Sequence, residues 1–396
     1  MWRIVTSFIL ILLAVVSLSA VSSHLMAGKQ EKLPESIAVS IRPDMTVEQF
    51  GKKHGLDREF LKKIFVLQSQ DDLGRQVTDF GMNNELLNKK INQILAIQAE
   101  HTSKNWKKIL IKGGLWIVFL IVVFVLLRKG KVGAKNRKWL YIAALGIFGI
   151  ILGSDPSPMG TVKDAVVLFG SKGVVFPPRL IAFGIFIMMV VLANKFICSW
   201  GCQLGTLQDF IFRLNRNSKD TKGLIGQIKV SFMITNSIRV IFFLLLVTAA
   251  FIWATDIVEP IDPFKVFKPQ AIGIAGGLFI SLILIASLFV YRPWCHFFCP
   301  FGLFGWFVEK ISIFKIKVDY DKCISCMACS KACPSTVMET ILKQDKIIPD
   351  CFSCGTCLET CPVNAISFTH GKRGKPAGGK FDRKASSEKS ELIQNL

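Results

Sequence analysis

Two runs of cysteine near the C-terminal end constrain this chain more than any other feature. Cysteines occupy 12 of the 396 positions, and eight of them fall into these runs. Each run has the spacing C-x2-C-x2-C-x3-C-P; the first extends from Cys323 to Pro334 and the second from Cys351 to Pro362. Three thiols this close in sequence can surround one centre, whereas the fourth can reach a different one. The repeated spacing therefore predicts two metal centres that fold as one unit.

The spacing is typical of bacterial ferredoxins with two 4Fe-4S clusters, which exchange the fourth ligand between runs. The predicted ligands of the first cluster are Cys323, Cys326, Cys329 and Cys361. Those of the second cluster are Cys351, Cys354, Cys357 and Cys333. Two zinc sites or a disulfide framework are the alternatives, but zinc knuckles usually supply two ligands each. Alternation in residues 315–318 and 365–369 also predicts two short strands that pair across the module.

Composition indicates that most of the chain is not globular. Hydrophobic residues make up 51% of it and the mean hydropathy is +0.45, which predicts several membrane spans. The formal net charge of +21 is typical of positive-inside loops that face anionic lipid, so the bilayer is an expected partner and nucleic acid is not. The sequence has no C-x-x-C-H motif, and its five histidines are not paired within apolar segments, so haem is not indicated.

Apolar segments predict an α-helical integral membrane protein with about six transmembrane helices and a C-terminal α+β ferredoxin domain. The segments cover residues 4–23, 109–127, 139–153, 180–197, 238–254 and 271–291. The predicted divisions are an N-terminal signal anchor or transmembrane helix at 1–26, an exported helical domain at 27–108, a membrane domain at 109–312, a ferredoxin domain at 313–370 and a disordered basic tail at 371–396. Basic clusters place the ferredoxin domain in the cytoplasm of a bacterium and residues 27–108 outside its inner membrane.

The exported region carries helix signals. Thr46 and Gln49 form a capping box, and Asp57 is a candidate cap for the next helix. An amphipathic run from Asn84 predicts one apolar face, formed by Leu86, Leu87, Ile91, Ile94 and Leu95. Further along, residues 165–178 are expected to lie at the membrane interface.

The remaining cysteines form two C-x3-C pairs in a repeated helical hairpin. The pairs are Cys198 with Cys202 and Cys295 with Cys299. Aligning the pairs also aligns Gly205 with Gly302, and both pairs are expected at the cytoplasmic boundary. Pro300 suits the first turn of a helix, which leaves Cys299 at its start and Cys295 in a loop. The four thiols could hold a cluster or soft metal, form two dithiol pairs, relay electrons to the ferredoxin, or simply be buried.

Together, the sequences Cys-Ser-Trp-Gly-Cys-Gln-Leu-Gly and Trp-Cys-His-Phe-Phe-Cys-Pro-Phe-Gly and the two cysteine runs resemble the membrane polyferredoxins typified by NapH. The membrane half of the NosR regulator is similar. The resemblance covers about residues 139–365 and implies electron transfer between the quinone pool or cytoplasmic donors and a redox partner protein, in an electron-transfer subunit of a quinol dehydrogenase. Gln203 stands where the family has Pro, and no Ser/Thr-Gly-Ala-Thr motif for covalent flavin is present.

The leading hypothesis is thus a membrane iron-sulfur carrier with two 4Fe-4S clusters and, at the C-x3-C pairs, a further cluster or metal. Ile324, Met327 and Phe352 are expected to shield the clusters from solvent and so influence their potentials. An assembly or regulatory factor that supplies electrons for maturation of a periplasmic metalloenzyme is the alternative. A metal-binding scaffold without redox activity is a third hypothesis.

Overall fold

The computed structural model of the chain describes residues 2–25, 45–54, 58–65, 71–80, 84–376 and 381. The first helices are α1 (Trp2–Leu25), α2 (Val47–His54), α3 (Arg58–Phe65), α4 (Asn84–Thr102), α5 (Trp106–Arg128) and α6 (Ala134–Ala144). They are followed by α7 (Pro158–Lys172), α8 (Pro177–Ala193), α9 (Phe196–Trp200), α10 (Gln203–Leu214), α11 (Phe232–Ile252), α12 (Ile274–Ala286), α13 (Pro293–Phe297) and α14 (Pro300–Val308). The C-terminal region contains β1 (Phe314–Val318), α15 (Ala328–Ala332), α16 (Val337–Lys343), α17 (Thr356–Thr360) and β2 (Ile366–His370).

The protein is a helical integral membrane protein with a C-terminal ferredoxin region. Within the described residues, three helices are long and apolar enough to cross a membrane, namely α1, α5 and α11. Helices α8 and α12 are apolar but shorter. The segment expected at 139–153 begins earlier, in α6, and continues as a π-helix over Leu145–Ile151. The count of six spans therefore stays a prediction.

Helix α7 contains residues 165–172 of the segment that was expected at the membrane interface. Its start is stabilised by the Ser157 hydroxyl, which accepts a hydrogen bond from the Gly160 N–H at 3.0 Å, and by Pro158 in the first turn. The helix packs against α11, where a Cβ on Gly170 would lie 2.9 Å from the Ala250 carbonyl oxygen. The location of residues 165–178 at the membrane interface stays a prediction.

Helices α2 to α4 enclose a small core of their own. Phe50, Ile64 and Leu87 are fully buried in it. The predicted capping box is confirmed, since the backbone N–H of Thr46 and the backbone N–H of Gln49 each donate to the other residue's side chain at 3.3 Å. Leu86, however, is 43% exposed and lies off the predicted apolar face. The predicted cap Asp57 lies outside the described residues.

The ferredoxin region docks at the Arg128 end of α5, which is called the ferredoxin end below. Strands β1 and β2 pair antiparallel with Ile316 opposite Phe368, which confirms the predicted strand pair. Phe124 of α5 lies edge-on to the rings of Phe314 and Phe368, at centroid distances of 5.0 and 5.6 Å. Aromatic packing of this kind attaches the sheet directly to a transmembrane helix.

Candidate iron-sulfur and thiol sites

Two cavities in the ferredoxin region are each lined by four thiols. The first, of about 340 Å³, is lined by Cys323, Cys326, Cys329 and Cys361. The second, of about 410 Å³, is lined by Cys333, Cys351, Cys354 and Cys357. Helices α15 and α17 pack against each other in this region. The last Cys of each run thus lines the cavity of the other run.

The backbone around both cavities suits a thiolate-bound cluster. Ser325, Met327 and Ser353 adopt positive φ angles between 50° and 60°, so the chain turns tightly around each cavity. The Ala365 N–H donates to Cys361 Sγ at 3.2 Å, an interaction that stabilises a thiolate. A single zinc ion would need its ligands within about 2.3 Å. No three Cys, His, Asp or Glu side chains in the described part of the chain converge in that way. Four thiols around each cavity match the four-thiolate ligand set of a 4Fe-4S cluster.

Basic side chains surround the second cavity, and we call the four of them the cationic seat. Arg137 Nε donates to the Cys354 carbonyl oxygen at 3.0 Å, and Arg213 Nη1 donates to Thr356 Oγ1 at 3.2 Å. The other two members bind the α15 end: Arg216 Nη2 donates to the Ala332 carbonyl oxygen at 2.6 Å and Lys229 Nζ to that of Ser330 at 2.8 Å. The cations were expected to face lipid, but Arg137 is fully buried and the seat binds the ferredoxin instead.

The seat changes the acidity of one thiol. Burial would raise the pKa of Cys354, but the charge of Arg213, with that of Arg137, keeps this pKa below that of a free thiol. Burial raises the pKa of Cys329, in the first cavity, to about 12. Asp220 forms ion pairs with Arg137, Arg213 and Arg216 and partly offsets their charge. Burial still raises the pKa values of the other three thiols of the second cavity, so the effect of the seat is confined to Cys354.

The structure also brings the two C-x3-C pairs together. Cys295 interacts electrostatically with all three other thiols, and Cys198 interacts with Cys202 and Cys299. Cys198, Cys202 and Cys295 are buried, and Cys299 is partly buried. Four thiols thus form one group between the two halves of the repeat, which we call the thiol quartet.

Each half of the repeat supplies its two thiols in the same way. The first Cys lies in a one-turn helix, α9 or α13, and the second is the N-cap of the next helix, α10 or α14. Cys299 therefore lies at a helix start as predicted, but Cys295 lies in a helix and not in a loop. The N-terminal ends of α10 and α14, which carry partial positive charge, thus lie at Cys202 and Cys299.

The thiol quartet packs against the middle of two long apolar helices, and its position at the cytoplasmic boundary stays a prediction. Trp116, in the middle of α5, donates from Nε1 to the Gly201 carbonyl oxygen at 3.1 Å. The ring of Phe242, in the middle of α11, packs against the ring of Phe298 at a centroid distance of 5.2 Å. After α8 and α12 the chain turns back into the domain, and hydropathy cannot distinguish such re-entrant helices from the end of a span.

Two buried cations cross-link the halves of the repeat. Arg292 Nη1 donates to the Cys198 carbonyl oxygen and Lys195 Nζ donates to the Gly302 carbonyl oxygen, each at 2.7 Å. Lys195 also forms an ion pair with Asp350, to which Arg239 donates at 2.8 Å. Sequence reasoning missed these residues, although aligning the cysteine pairs places Lys195 opposite Arg292, each three positions before the first Cys.

The second cysteine run packs directly on the C-x3-C motifs. Trp200 Nε1 donates to the Ser353 carbonyl oxygen at 3.3 Å, and the rings of His296 and Phe352 lie 5.2 Å apart. Phe352 is buried, as a shielding residue should be, whereas Ile324 beside the first cavity is 38% exposed. The second cavity is therefore the one next to the membrane domain.

Gln203, the position that departs from the family motif, has a packing role. Its side-chain Nε2 donates to the carbonyl oxygens of Gly153 and Ser154, both at 3.2 Å. Lys112 Nζ donates to the same Gly153 oxygen at 2.7 Å. The side chain thus ties the first C-x3-C motif to the loop before α7.

Gly205→Ala should disrupt the first thiol pair, because a Cβ at this position would collide with the carbonyl oxygen of Cys198. Gly184→Ala in α8 is the matched control, since nothing lies within 4 Å of its Cβ. We expect the control to unfold at the same temperature as the parent or at a higher one. Gly205→Ala should lower the free energy of unfolding by more than about 1 kcal/mol. Thermal unfolding in detergent measures the difference. Equal stability of the two variants would contradict this close contact.

Comparisons with known proteins agree with these sites. The 4Fe-4S dicluster domain family matches residues 315–369, and the 4Fe-4S binding domain family matches residues 175–219 and 272–319. The matched segments thus include both C-x3-C pairs and both cysteine runs. No solved structure matches the chain.

Three curated relatives share part of the sequence. The putative electron transport protein YccM of Escherichia coli is 31% identical over 167 residues, or 38% of this chain and 44% of the relative. The ferredoxin-type protein NapH of Haemophilus influenzae is 28% identical over 180 residues, or 44% of this chain and 55% of the relative. An uncharacterised protein of Methanocaldococcus jannaschii is 25% identical over 154 residues, or 39% and 57%. The chain thus spans about half the length of the curated relatives it matches.

Proposed function

We propose that this chain, which is similar to the ferredoxin-type protein NapH and to the putative electron transport protein YccM, is a NapH-like polyferredoxin that transfers electrons between the quinone pool and a redox partner protein. The observation that carries the proposal is the direct packing of the second cysteine run on the C-x3-C motifs. This contact joins a membrane-embedded thiol site to a ferredoxin region without an intervening domain.

Two 4Fe-4S clusters would be held by the thiols that line the two cavities. Cys323, Cys326, Cys329 and Cys361 would bind the first, and Cys351, Cys354, Cys357 and Cys333 the second. When bound, each cluster supplies a one-electron redox centre. The chain's own contribution is to exclude water, mainly through buried Phe352, and to surround the second cluster with the cationic seat.

The thiol quartet would hold a further iron-sulfur centre. Buried Lys195 and Arg292, together with the N-terminal ends of α10 and α14, provide positive charge for anionic thiolates. The match of the surrounding segments to a 4Fe-4S binding family also supports iron over a dithiol relay. The order of centres would then be quartet, second cluster, first cluster, with the first cluster nearest the partner.

The proposed orientation places the ferredoxin end in the bacterial cytoplasm and helices α2 to α4 in the periplasm. Basic residues that follow α5, including Arg128, Lys129 and Lys131, support this orientation under the positive-inside rule. Helix α4 lies at the opposite end, where Gln93 Nε2 donates to the Lys172 carbonyl oxygen at 3.3 Å. The membrane would be the inner membrane.

Quinol-driven reduction tests the proposed function. Anaerobic membranes that contain the protein should develop the EPR signals of reduced clusters when menadiol is added, because quinol is the proposed electron source. Dithionite, which reduces clusters directly, shows how many are assembled. Signals with dithionite but none with menadiol would overturn quinol oxidation and leave the maturation factor as the better hypothesis.

A further inference from the structure

An apolar cleft of about 690 Å³ lies between α7, α8 and α11, towards the end of the membrane domain opposite the ferredoxin. Its lining includes Val166, Phe169, Val175, Leu180, Val247 and Phe251. Phe169, Leu180 and Phe251 are about half exposed, at 49%, 47% and 53%. In a bilayer these side chains face lipid, so the cleft is accessible to a lipid-soluble molecule.

Charged residues close the inner end of the cleft. Phe176 and Arg179 line both the cleft and an adjoining pocket of about 510 Å³, which Asp155 and Asp164 also line. Arg179 forms ion pairs with Glu100 at 2.7 Å and with Asp164 at 3.2 Å, and its side chain is only 9% exposed. A buried arginine is costly to desolvate, and buried ionisable groups that line a pocket are candidates for a functional role.

We propose that this cleft and pocket are the quinol site of the protein, with the apolar tail in the cleft and the head group in the pocket, beside the Arg179–Asp164 ion pair. The inference rests on the proposed function and gives it a location. The Asp164 carboxylate would accept a hydrogen bond from a quinol hydroxyl, and the Arg179 guanidinium would donate to a quinone carbonyl oxygen. A ligand with a long apolar tail and two polar ring oxygens matches both parts of the cavity.

The oxidation step balances within this arrangement. The quinol breaks two O–H bonds and becomes a quinone, releasing two protons and two electrons. Asp164 accepts the first proton, and the pocket beside Asp155 and Lys104 leads both protons away from the ferredoxin end. The two electrons would pass, one at a time, to the iron-sulfur centres that the thiol quartet and the two ferredoxin cavities would hold.

Helix α7 connects this site to the thiol quartet. Gly160 and Asp164 line the pocket, whereas Met159 belongs to the same buried cluster as Cys202 and Trp294. Trp294, which precedes Cys295, donates from Nε1 to Met159 Sδ at 3.3 Å. Only the thickness of one helix therefore separates the proposed head-group position from the quartet, while protons leave on the opposite side.

The test compares a quinol that has a tail with one that lacks it. Val247→Trp fills the apolar cleft, so it should slow cluster reduction by menaquinol-4 in proteoliposomes by about tenfold or more and leave reduction by tail-less menadiol nearly unchanged. Asp164→Asn and Arg179→Gln should slow cluster reduction by menaquinol-4 and by menadiol alike. Leu282→Trp, at a 64% exposed position on α12, is the control that adds the same side chain outside the cleft. Dithionite-reduced EPR signals establish that each variant is assembled.

The outcomes separate the site from the function. If the unsubstituted protein oxidises neither menaquinol-4 nor menadiol, the proposed function is wrong. If it oxidises both, and the cleft and pocket variants reduce their clusters as fast as Leu282→Trp does, the proposed site is wrong. Photolabelling of the unsubstituted protein with an azido-menaquinone requires no variant to fold. Labels on α7 or α8 that excess menaquinol-4 competes away support the site. Labels confined to other helices would overturn the proposed site. Labels that phospholipid displaces and menaquinol-4 does not would also overturn it, because they would show that the cleft holds lipid.

Discussion

Membranes that carry Cys295→Ser and Cys299→Ser should show no reduction of the ferredoxin clusters by menadiol, although both clusters are present. Neither residue lines a ferredoxin cavity, so assembly of the two clusters should survive. Serine approximates the volume of cysteine but is a poor ligand for soft metals and cannot form a disulfide. The rate at which EPR signals appear after menadiol addition measures the effect, and dithionite reports the assembled clusters.

The same loss is expected for Cys198→Ser and Cys202→Ser, since all four thiols form one group. Cys357→Ser is an informative comparison, because it lines the second cavity and should weaken the dithionite signal as well. If the variant with all four quartet thiols replaced is reduced by menadiol as fast as the parent, electrons enter the ferredoxin by another route and the quartet is structural.

Cys333→Ala should damage the second cluster even though Cys333 belongs to the first cysteine run. Cys333 lines the second cavity. The dithionite-reduced EPR spectrum of Cys333→Ala should therefore resemble that of Cys357→Ala. Cys361→Ala should in turn resemble Cys326→Ala, because both residues line the first cavity. The exchange of the fourth ligand between runs is the physical reason.

These four variants also test the order of the centres. With the first cluster lost, menadiol should reduce the second, since the second cavity adjoins the C-x3-C motifs. With the second cluster lost, reduction of the first should become slow. The opposite result, or a Cys333→Ala spectrum like that of Cys326→Ala, would contradict the exchanged ligand set.

Features encoded by local patterns could be predicted from the sequence. The reciprocal Thr46–Gln49 cap and the pairing of β1 with β2 depend on residues close to each other or on strict alternation, and both are present. Cysteine spacing also led to the polyferredoxin family, because ligand spacing follows from cluster geometry. The repeat alignment explains Gly205 and Gly302, which both approach the carbonyl oxygen of a cysteine.

Features that depend on tertiary packing could not be predicted. Hydropathy identifies apolar segments but not the turns after Ala193 and Ala286 that return the chain towards the middle of α5 and α11. Composition counts Arg137, Arg213 and Arg216 as loop charge, although their guanidinium groups bind the ferredoxin backbone or side chains. Whether a basic residue contacts lipid or protein is decided by its neighbours, which a charge count does not include.

The cationic seat has a consequence for biogenesis. It gathers four basic side chains beneath the second cysteine run, and ion pairs with Asp209, Asp220 and Glu359 offset only part of their charge. A cluster bound by four thiolates carries negative charge, so its insertion would supply the missing counter-charge. Docking of the ferredoxin region on the membrane domain would then depend on cluster insertion. A newly made chain already in the bilayer would complete its folding only when iron is supplied.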